Sequence, residues 1–132
     1  MQEQDQVDRA VRTAPAAAER AATAVLAYDY RTLEADRDAA AATMTPEYRR
    51  EYLKTFELVM DAAPARRARV EADVRASGVS VPGADRVEVL LFVNQTTVST
   101  ANSGEPQNAL NRVVLTMERD GDVWRVDGIT SY

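Results

Sequence analysis

The stretch VEVLLFVNQTTV at residues 87–98 decides the fold of this 132-residue chain. One face of the stretch carries four apolar side chains at a spacing of two residues, namely Val87, Val89, Leu91 and Val93. A period of two is that of a β-strand, whose successive side chains point to opposite faces. Leu90 and Phe92 make the second face apolar as well. The pattern therefore predicts a central strand that is covered on both faces for part of its length.

Three further strands are predicted around this one. Asp120-Gly121 is a strong hairpin signal because glycine adopts the positive φ that a two-residue turn requires, and apolar alternation flanks it on both sides. A polar segment at residues 100–108 predicts a loop. The strands are predicted at residues 70–76 with an extension toward 81, at 87–98, at 110–119 and at 123–129. Four consecutive strands with short connections favour an antiparallel meander.

The first 64 residues have the three- and four-residue apolar spacing of helices. The stripe of the first helix consists of Val7, Val11, Ala14, Ala18, Ala22 and Val25. Pro15 lies inside this stripe and leaves two interpretations open, because proline removes a backbone donor. Either the helix opens after Thr13, or a longer helix begins near residue 3 and is kinked.

Two more helices are predicted before Pro64. Asp36 is expected to cap a short helix that ends near Thr43. Thr45-Pro46 is a typical helix start, with a capping hydroxyl followed by proline at the first helical position. The apolar face of this third helix comprises Tyr48, Tyr52, Phe56, Val59, Met60 and Ala63. Pro64 is expected to end it.

These elements predict one α+β domain over residues 1–132, with a helical half at 1–64 and an antiparallel sheet half at 65–132. Three N-terminal helices pack on a curved four-stranded antiparallel sheet. A curved sheet wrapped around a helix has the shape of a cone. Neither half has enough apolar surface to close a core alone.

Composition excludes several classes of function. The 21 acidic and 16 basic side chains give a net charge of −5, which disfavours nucleic-acid binding. Cysteine and histidine are both absent, so thiol nucleophiles, disulfides and Ser-His-Asp triads are excluded. The five glycines are scattered and form no phosphate loop. We expect no metal, no cofactor and no transmembrane span within the sequence, since no apolar run reaches the length of a span.

Aromatic side chains are the main candidates for binding. Those that could line an apolar cavity or an interface are Tyr28, Tyr30, Tyr52, Phe56, Phe92 and Trp124. Buried tyrosines beside a carboxylate, with Asp29 and Asp127 as candidate acids, could polarise a substrate carbonyl. The alternative is that the rings form the core between helices and sheet. Trp124 is expected to be buried against the helices near Tyr52 or Phe56.

The arginines at residues 66–69 leave two interpretations open. They could contact an anion, because guanidinium groups bind carboxylates and phosphates. The interpretation we favour is a solvated strand entry whose arginines pair locally with Glu71 or Asp73.

Four segments are considered together: YDYRTLEAD at residues 28–36, TPEYRREY at 45–52, FVNQT at 92–96 and WRVDGI at 124–129. In this order and spacing they resemble the Mce-associated membrane proteins of actinobacteria, and the likeness extends over residues 15–131. The resemblance implies a nuclear transport factor 2-like cone, similar also to the periplasmic domain of the type IV secretion inner-membrane assembly factor. It implies an accessory subunit of a Mce lipid-import system for fatty acids or sterols, with Mce transporter subunits as partners. It assigns no catalytic residues.

The resemblance further implies a location on the extracytoplasmic face of the cell membrane. An N-terminal transmembrane helix would provide the anchor, and we expect it to lie outside these 132 residues, with the alanine stripe before Tyr28 continuing as its stalk. We expect a non-enzymatic domain that acts through protein contacts, with lipid contact secondary. The alternatives are a small cone-fold isomerase or hydratase, and a type IV secretion-like assembly domain.

Overall fold

A five-stranded antiparallel sheet forms the frame of the computed structural model, which describes residues 2–132. Its strands run in chain order across the sheet: β1 (Tyr28–Asp29), β2 (Arg69–Val81), β3 (Arg86–Val98), β4 (Gln107–Asp120) and β5 (Val123–Ser131). Register shifts interrupt the β2–β3 and β4–β5 ladders. Such irregularities bend and twist strands, so they curve the sheet. The α+β antiparallel prediction is confirmed.

The number of strands was predicted wrongly, because β1 was missed. Tyr28 pairs with Val70 and Asp29 with Arg69, which adds a two-residue edge strand to β2. Two residues are too few to show an alternating pattern, so the segment reads in sequence only as the end of a helix.

β3 occupies the middle of the sheet and has the alternation that its sequence predicts. All four side chains of its inner face, Val87, Val89, Leu91 and Val93, are fully buried. Leu90 and Phe92 on the other face are half-buried. The second face therefore lacks the full cover that the apolar pattern suggested.

The β4–β5 hairpin is confirmed. Asp120 pairs with Val123, so Gly121 and Asp122 form a two-residue turn. Gly121 has a φ of 62°. A positive φ at the first central residue is the type II′ arrangement, which matches the twist of the flanking strands and favours glycine.

Helix α1 (Gln2–Val25) lies on the sheet and contacts β2, β3, β4 and β5. Pro15 lies inside it, so the interpretation in which the helix opens after Thr13 is wrong. Tertiary packing sustains the helix through the proline, because Ala14 before it and Ala18 after it are fully buried. The buried face consists of Ala10, Ala14, Ala18, Ala21 and Ala22. The alanine stripe is thus part of the core.

Helix α2 (Leu33–Ala41) begins three residues before Asp36, so the predicted cap is wrong. Asp36 lies in the first turn and accepts a hydrogen bond from the Asp29 amide at 2.8 Å and from the Thr32 hydroxyl at 3.0 Å. The carboxylate therefore joins α2 to β1.

Helix α3 (Pro46–Arg66) starts where its sequence predicts, with the Thr45 hydroxyl accepting the Tyr48 amide at 3.2 Å. Pro64 does not end it, contrary to prediction. Arg67 is the capping residue that follows the helix. Its backbone is left-handed, and its amide faces the carbonyl oxygens of Ala63 and Pro64. A proline in the last turn is tolerated because only one helical hydrogen bond is lost.

The buried side chains form two clusters. The first lies between α1 and the sheet and includes Met44, whose backbone bridges to Val126 of β5. The second, smaller cluster consists of Leu33, Phe56, Ala63 and Ala68. None of the helices formed by residues 2–132 combines the length and the apolar character needed to cross a membrane.

Candidate functional site

The six aromatic candidates do not line one common surface. Tyr28, Tyr30, Tyr52 and Phe56 all belong to the second cluster. Phe92 is half-buried on the face of β3 opposite to the buried valines, because side chains alternate along a strand. Trp124 packs against the first cluster. Four of the six candidates therefore share one place in the fold.

The shared cluster is packed through edge-on and tilted ring contacts. Tyr28 meets Phe56 with centroids 6.3 Å apart and planes at 86°, and Tyr52 meets Phe56 at 5.5 Å. Such pairs stabilise a core beyond the area they bury. Burial raises the pKa of the Tyr52 phenol to about 12. The phenol is therefore protonated at neutral pH and cannot act there as a base.

Trp124 lies at the contact between helix α1 and β5. Its ring is half-buried, and Nε1 donates a hydrogen bond to the Thr13 hydroxyl of α1 at 3.0 Å. The prediction of a buried ring against the helices near Tyr52 or Phe56 is therefore met in part. Trp124 packs against the same cluster as Tyr52, while Phe56 belongs to the other cluster.

The first candidate acid, Asp29, is held in an ion pair. It accepts hydrogen bonds from the Arg31 amide and from Nε at 2.9 Å each, and from Nη2 at 2.6 Å. The side-chain hydrogen bonds from Arg31 are the main reason that the pKa of Asp29 is lowered to about 2. A general acid–base group works best with a pKa near the operating pH. Asp29 is far from that condition.

The second candidate acid, Asp127, is also committed to structure. Oδ1 accepts a hydrogen bond from the Thr45 hydroxyl at 2.7 Å, and Oδ2 accepts one from Arg86 at 3.2 Å. The hydrogen bond from Thr45 is the largest influence that lowers the pKa of this carboxyl. Both candidate acids are thus engaged by neighbouring donors.

The arginines at residues 66–69 do not make the local ion pairs that we favoured from sequence. Asp73 pairs instead with Arg75 at 2.9 Å. Among the salt bridges of residues 2–132, none involves Arg66, Arg67 or Arg69. The three arginines are exposed, as the favoured interpretation expected, but its local pairing is wrong, and two of these arginines line a groove.

The arginine groove, as we call it, has a volume of about 640 Å³. It lies where the turn after β1, the end of α3, the start of β2 and the β3–β4 connection meet. Its polar lining consists of Tyr30, Arg31, Arg67, Arg69, Ser99, Thr100 and Ser103. Sequence analysis missed Arg31 and the three hydroxyl residues, because only the folded chain brings these four segments together.

No protein-family model matches the chain. The sequence is 31% identical over 105 residues to Outer membrane protein Rv1973 of Mycobacterium tuberculosis, a match that covers 79% of this chain. The same values hold for Outer membrane protein MT2024.1 of another strain of that species. The chain spans about 64% of the length of these curated relatives.

Several solved structures with a similar fold are named as type IV secretion proteins. An IcmL-like type IV secretion system protein from Legionella pneumophila superposes with a TM-score of 0.76 at 13% identity, covering 92% of this chain and 91% of that one. The periplasmic domain of DotI gives 0.74 at 19% identity, covering 92% and 94%. VirB8 of Agrobacterium tumefaciens gives 0.71 at 15% identity, covering 100% and 93%. The chain thus has the VirB8-like form of the nuclear transport factor 2-like fold, with a homologue named as an outer membrane protein.

Proposed function

We propose that this chain is a non-enzymatic domain of a cell-envelope protein and that it supports a Mce-type lipid importer by contacting its subunits. The observation that carries the proposal is the close packing between the middle of α1 and the sheet. Leu91, Leu115 and Met117 are fully buried there, and the facing helix presents alanines that are buried too, which leaves little room for a substrate. A groove of about 540 Å³ lies at the end of α1, between α2 and β2, and Asp29, one of the acids that line it, is held in an ion pair with Arg31.

The chemistry of the candidate acids supports the same proposal. Both Asp29 and Asp127 have a lowered pKa and have their oxygens engaged by arginine or threonine donors. Both are therefore ionised and satisfied at neutral pH. An isomerase or hydratase on this fold would instead need an acid poised for proton transfer next to its substrate.

The comparisons support an envelope location and action through protein contacts. The relative is named as an outer membrane protein, and several structural neighbours, among them the IcmL-like protein, are named as type IV secretion proteins. The choice of a Mce lipid importer rests on the resemblance of residues 28–36, 45–52, 92–96 and 124–129 to Mce-associated proteins. Fold alone does not define function, so the partner requires a direct test.

The test is deletion of the gene followed by complementation. We expect deletion to lower the abundance of Mce importer subunits in the membrane fraction and to lower uptake of a labelled fatty acid or sterol. Complementation with the wild type, with Asp29→Asn or with Asp127→Asn should restore both, provided that the variants fold. The enzyme alternative prevails if either folded variant fails to restore uptake and the purified protein converts a carbonyl lipid.

A type IV secretion-like assembly domain is the second candidate, and the structural neighbours favour it. The same deletion strain distinguishes the two candidates. Loss of secretion-apparatus subunits or of substrate transfer, with importer subunits and lipid uptake unchanged, would support assembly of a secretion system and contradict the importer role.

A further inference from the structure

We propose that the arginine groove binds a phosphate-type oxyanion, supplied either as free phosphate or as the phosphate of a lipid headgroup. The inference rests on the residues of the groove and is independent of the proposed function. Guanidinium groups suit this ligand because their planar set of donors matches the oxygens of a phosphate.

The charge of the groove is opposite to that of the protein. Its lining includes three arginines and no aspartate or glutamate, although the whole chain has a net charge of −5. Of these arginines, Arg67 and Arg69 are exposed and form no salt bridge within residues 2–132. Arg31 pairs with Asp29 through Nε and Nη2, which leaves Nη1 available. The groove thus presents an excess of positive charge to an incoming anion, which Asp29 offsets in part through its ion pair with Arg31.

Backbone hydrogen bonds join the segments that carry these side chains. Arg69 pairs with Val98 in the β2–β3 ladder, directly before Ser99. The amide of Tyr30 donates to the carbonyl of Ala68 at 3.0 Å, which ties the turn carrying Arg31 to the start of β2. The positions of the three segments are therefore fixed before a ligand binds, and such preorganisation lowers the cost of binding.

Unusual backbone conformations are concentrated in the groove. Within residues 2–132, two residues other than glycine have a positive φ, Arg67 at 48° and Ser103 at 57°, and both line it. Glycine is the residue favoured at such positions, particularly after a helix. Residues held in a disfavoured backbone conformation are often found at binding sites, where their side chains contact a ligand.

Hydroxyl groups complete the donor set. The carbonyl oxygen of Ser99 accepts the amides of Asn102 at 3.2 Å and Gly104 at 3.0 Å, which closes a tight turn. Ser99, Thr100 and Ser103 in this turn all line the groove. Ser99 is buried, with 8% of its surface exposed. A hydroxyl can donate to a phosphate oxygen beside the guanidinium groups.

An apolar groove of about 250 Å³ adjoins the arginine groove, and Ser99 lines both. Its walls include Tyr28, Val59 and Leu58, and Leu58 is 70% exposed. An acyl chain attached to a phosphate at the arginines could follow this second groove. The experiment therefore has to distinguish free phosphate from the phosphate of a lipid headgroup.

The test is calorimetric titration of the protein with inorganic phosphate and, separately, with soluble dihexanoyl phosphatidic acid and dihexanoyl phosphatidylcholine. Amide chemical shifts of residues 99–104 locate the site. The double variant Arg67→Gln/Arg69→Gln should weaken binding at least about tenfold, equivalent to about 1.4 kcal/mol. The control Arg12→Gln/Arg112→Gln changes the net charge equally at exposed positions outside the groove and should change binding by less than about twofold.

Each outcome supports or overturns the proposal. Equal affinity for phosphate and phosphatidic acid supports a phosphate site. Tighter binding of phosphatidic acid that Leu58→Gln abolishes supports a lipid headgroup with its chain in the apolar groove. No saturable binding of any of these ligands in the millimolar range overturns the proposal, as does an equal loss of binding in the control variant.

Discussion

The Thr45 hydroxyl donates a hydrogen bond to Oδ1 of Asp127 at 2.7 Å, across 82 residues of sequence. The same hydroxyl accepts the amide of Tyr48 and so caps α3. Asp127 in turn accepts a hydrogen bond from Arg86 at the start of β3. One carboxylate therefore fixes where a helix begins relative to two strands, which explains why an acid in the sheet half is satisfied rather than free for catalysis.

Thr45→Ala should lower the free energy of unfolding by about 1–2 kcal/mol, because it removes a helix cap and the hydrogen bond to Asp127. Urea denaturation followed by circular dichroism measures the change. The matched control is Thr55→Ala, which removes a hydroxyl that bonds only the Glu51 carbonyl within α3. An equal effect in the two variants would contradict the structural role of the Thr45–Asp127 contact.

Acid should destabilise the protein through Asp29. The pKa of this carboxyl falls from 3.8 to about 2 on folding, so the folded state favours the charged form. Its contribution to stability is complete above the ordinary pKa and is lost as the pH falls from about 4 toward about 2. Thermal melts over this pH range should show a smaller acid-induced loss for Asp29→Asn than for the wild type. The control is Asp61→Asn, at an exposed position outside the ion pairs. If Asp61→Asn reduces the loss as much as Asp29→Asn does, the effect reflects general charge and not this pair.

Sequence patterns correctly predicted the elements that are determined by residues close together in the sequence. The alternation of β3 and the hairpin signal Asp120-Gly121 depend on neighbouring residues only, and both elements were confirmed, with the turn itself at Gly121 and Asp122. The start of α3 is also determined locally, by Thr45 and Pro46, and was predicted correctly. The same alternation predicts that Phe92, next to Leu91, points to the opposite face of β3. The prediction of a shared aromatic surface did not take this into account.

Elements with a tertiary cause could not be predicted from sequence. β1 exists because Tyr28 and Asp29 find partners on β2, and Asp36 bonds an amide seven residues earlier. The arginine groove depends on the β2–β3 register, which brings Arg69 beside Val98. In each case the partner is remote in sequence, so no window of neighbouring residues contains the information.

The contact between Trp124 and Thr13 predicts how firmly α1 is attached to the sheet. Thr13→Ala should lower the free energy of unfolding by about 1 kcal/mol, since the indole loses its acceptor. Trp124 is the single tryptophan, so its fluorescence reports this contact without interference. Thr23→Ala is the matched control in the same helix, because both hydroxyls bond a carbonyl four residues earlier but only Thr13 reaches the sheet. The contact is refuted if the two variants have the same stability and the same fluorescence maximum.

The packing of α1 against the sheet can be probed by adding volume. Ala18 is fully buried, and Ala18→Leu should cost about 1–3 kcal/mol, because a close-packed core has no room for three more carbon atoms. Ala16→Leu places the same side chain on the exposed face of the same helix and should change stability by less than about 0.5 kcal/mol. A neutral Ala18→Leu would reveal free volume beneath α1 and would reopen the possibility of a substrate pocket.

Arg67→Gly should make the protein more stable and its groove less able to bind phosphate. Arg67 ends α3 with a φ of 48°, a conformation that costs a residue with a side chain about 1–2 kcal/mol but suits glycine. Glycine also increases the entropy of the unfolded chain, so we expect a net gain of about 0.5–1 kcal/mol in urea denaturation. Arg67→Gln removes the same charge without relieving the backbone, and it should weaken phosphate binding as much as Arg67→Gly does, with no gain in stability. If Arg67→Gly is stabilising but binds phosphate as tightly as the wild type, the left-handed arginine serves no ligand there, and its conformation is only a feature of the helix end.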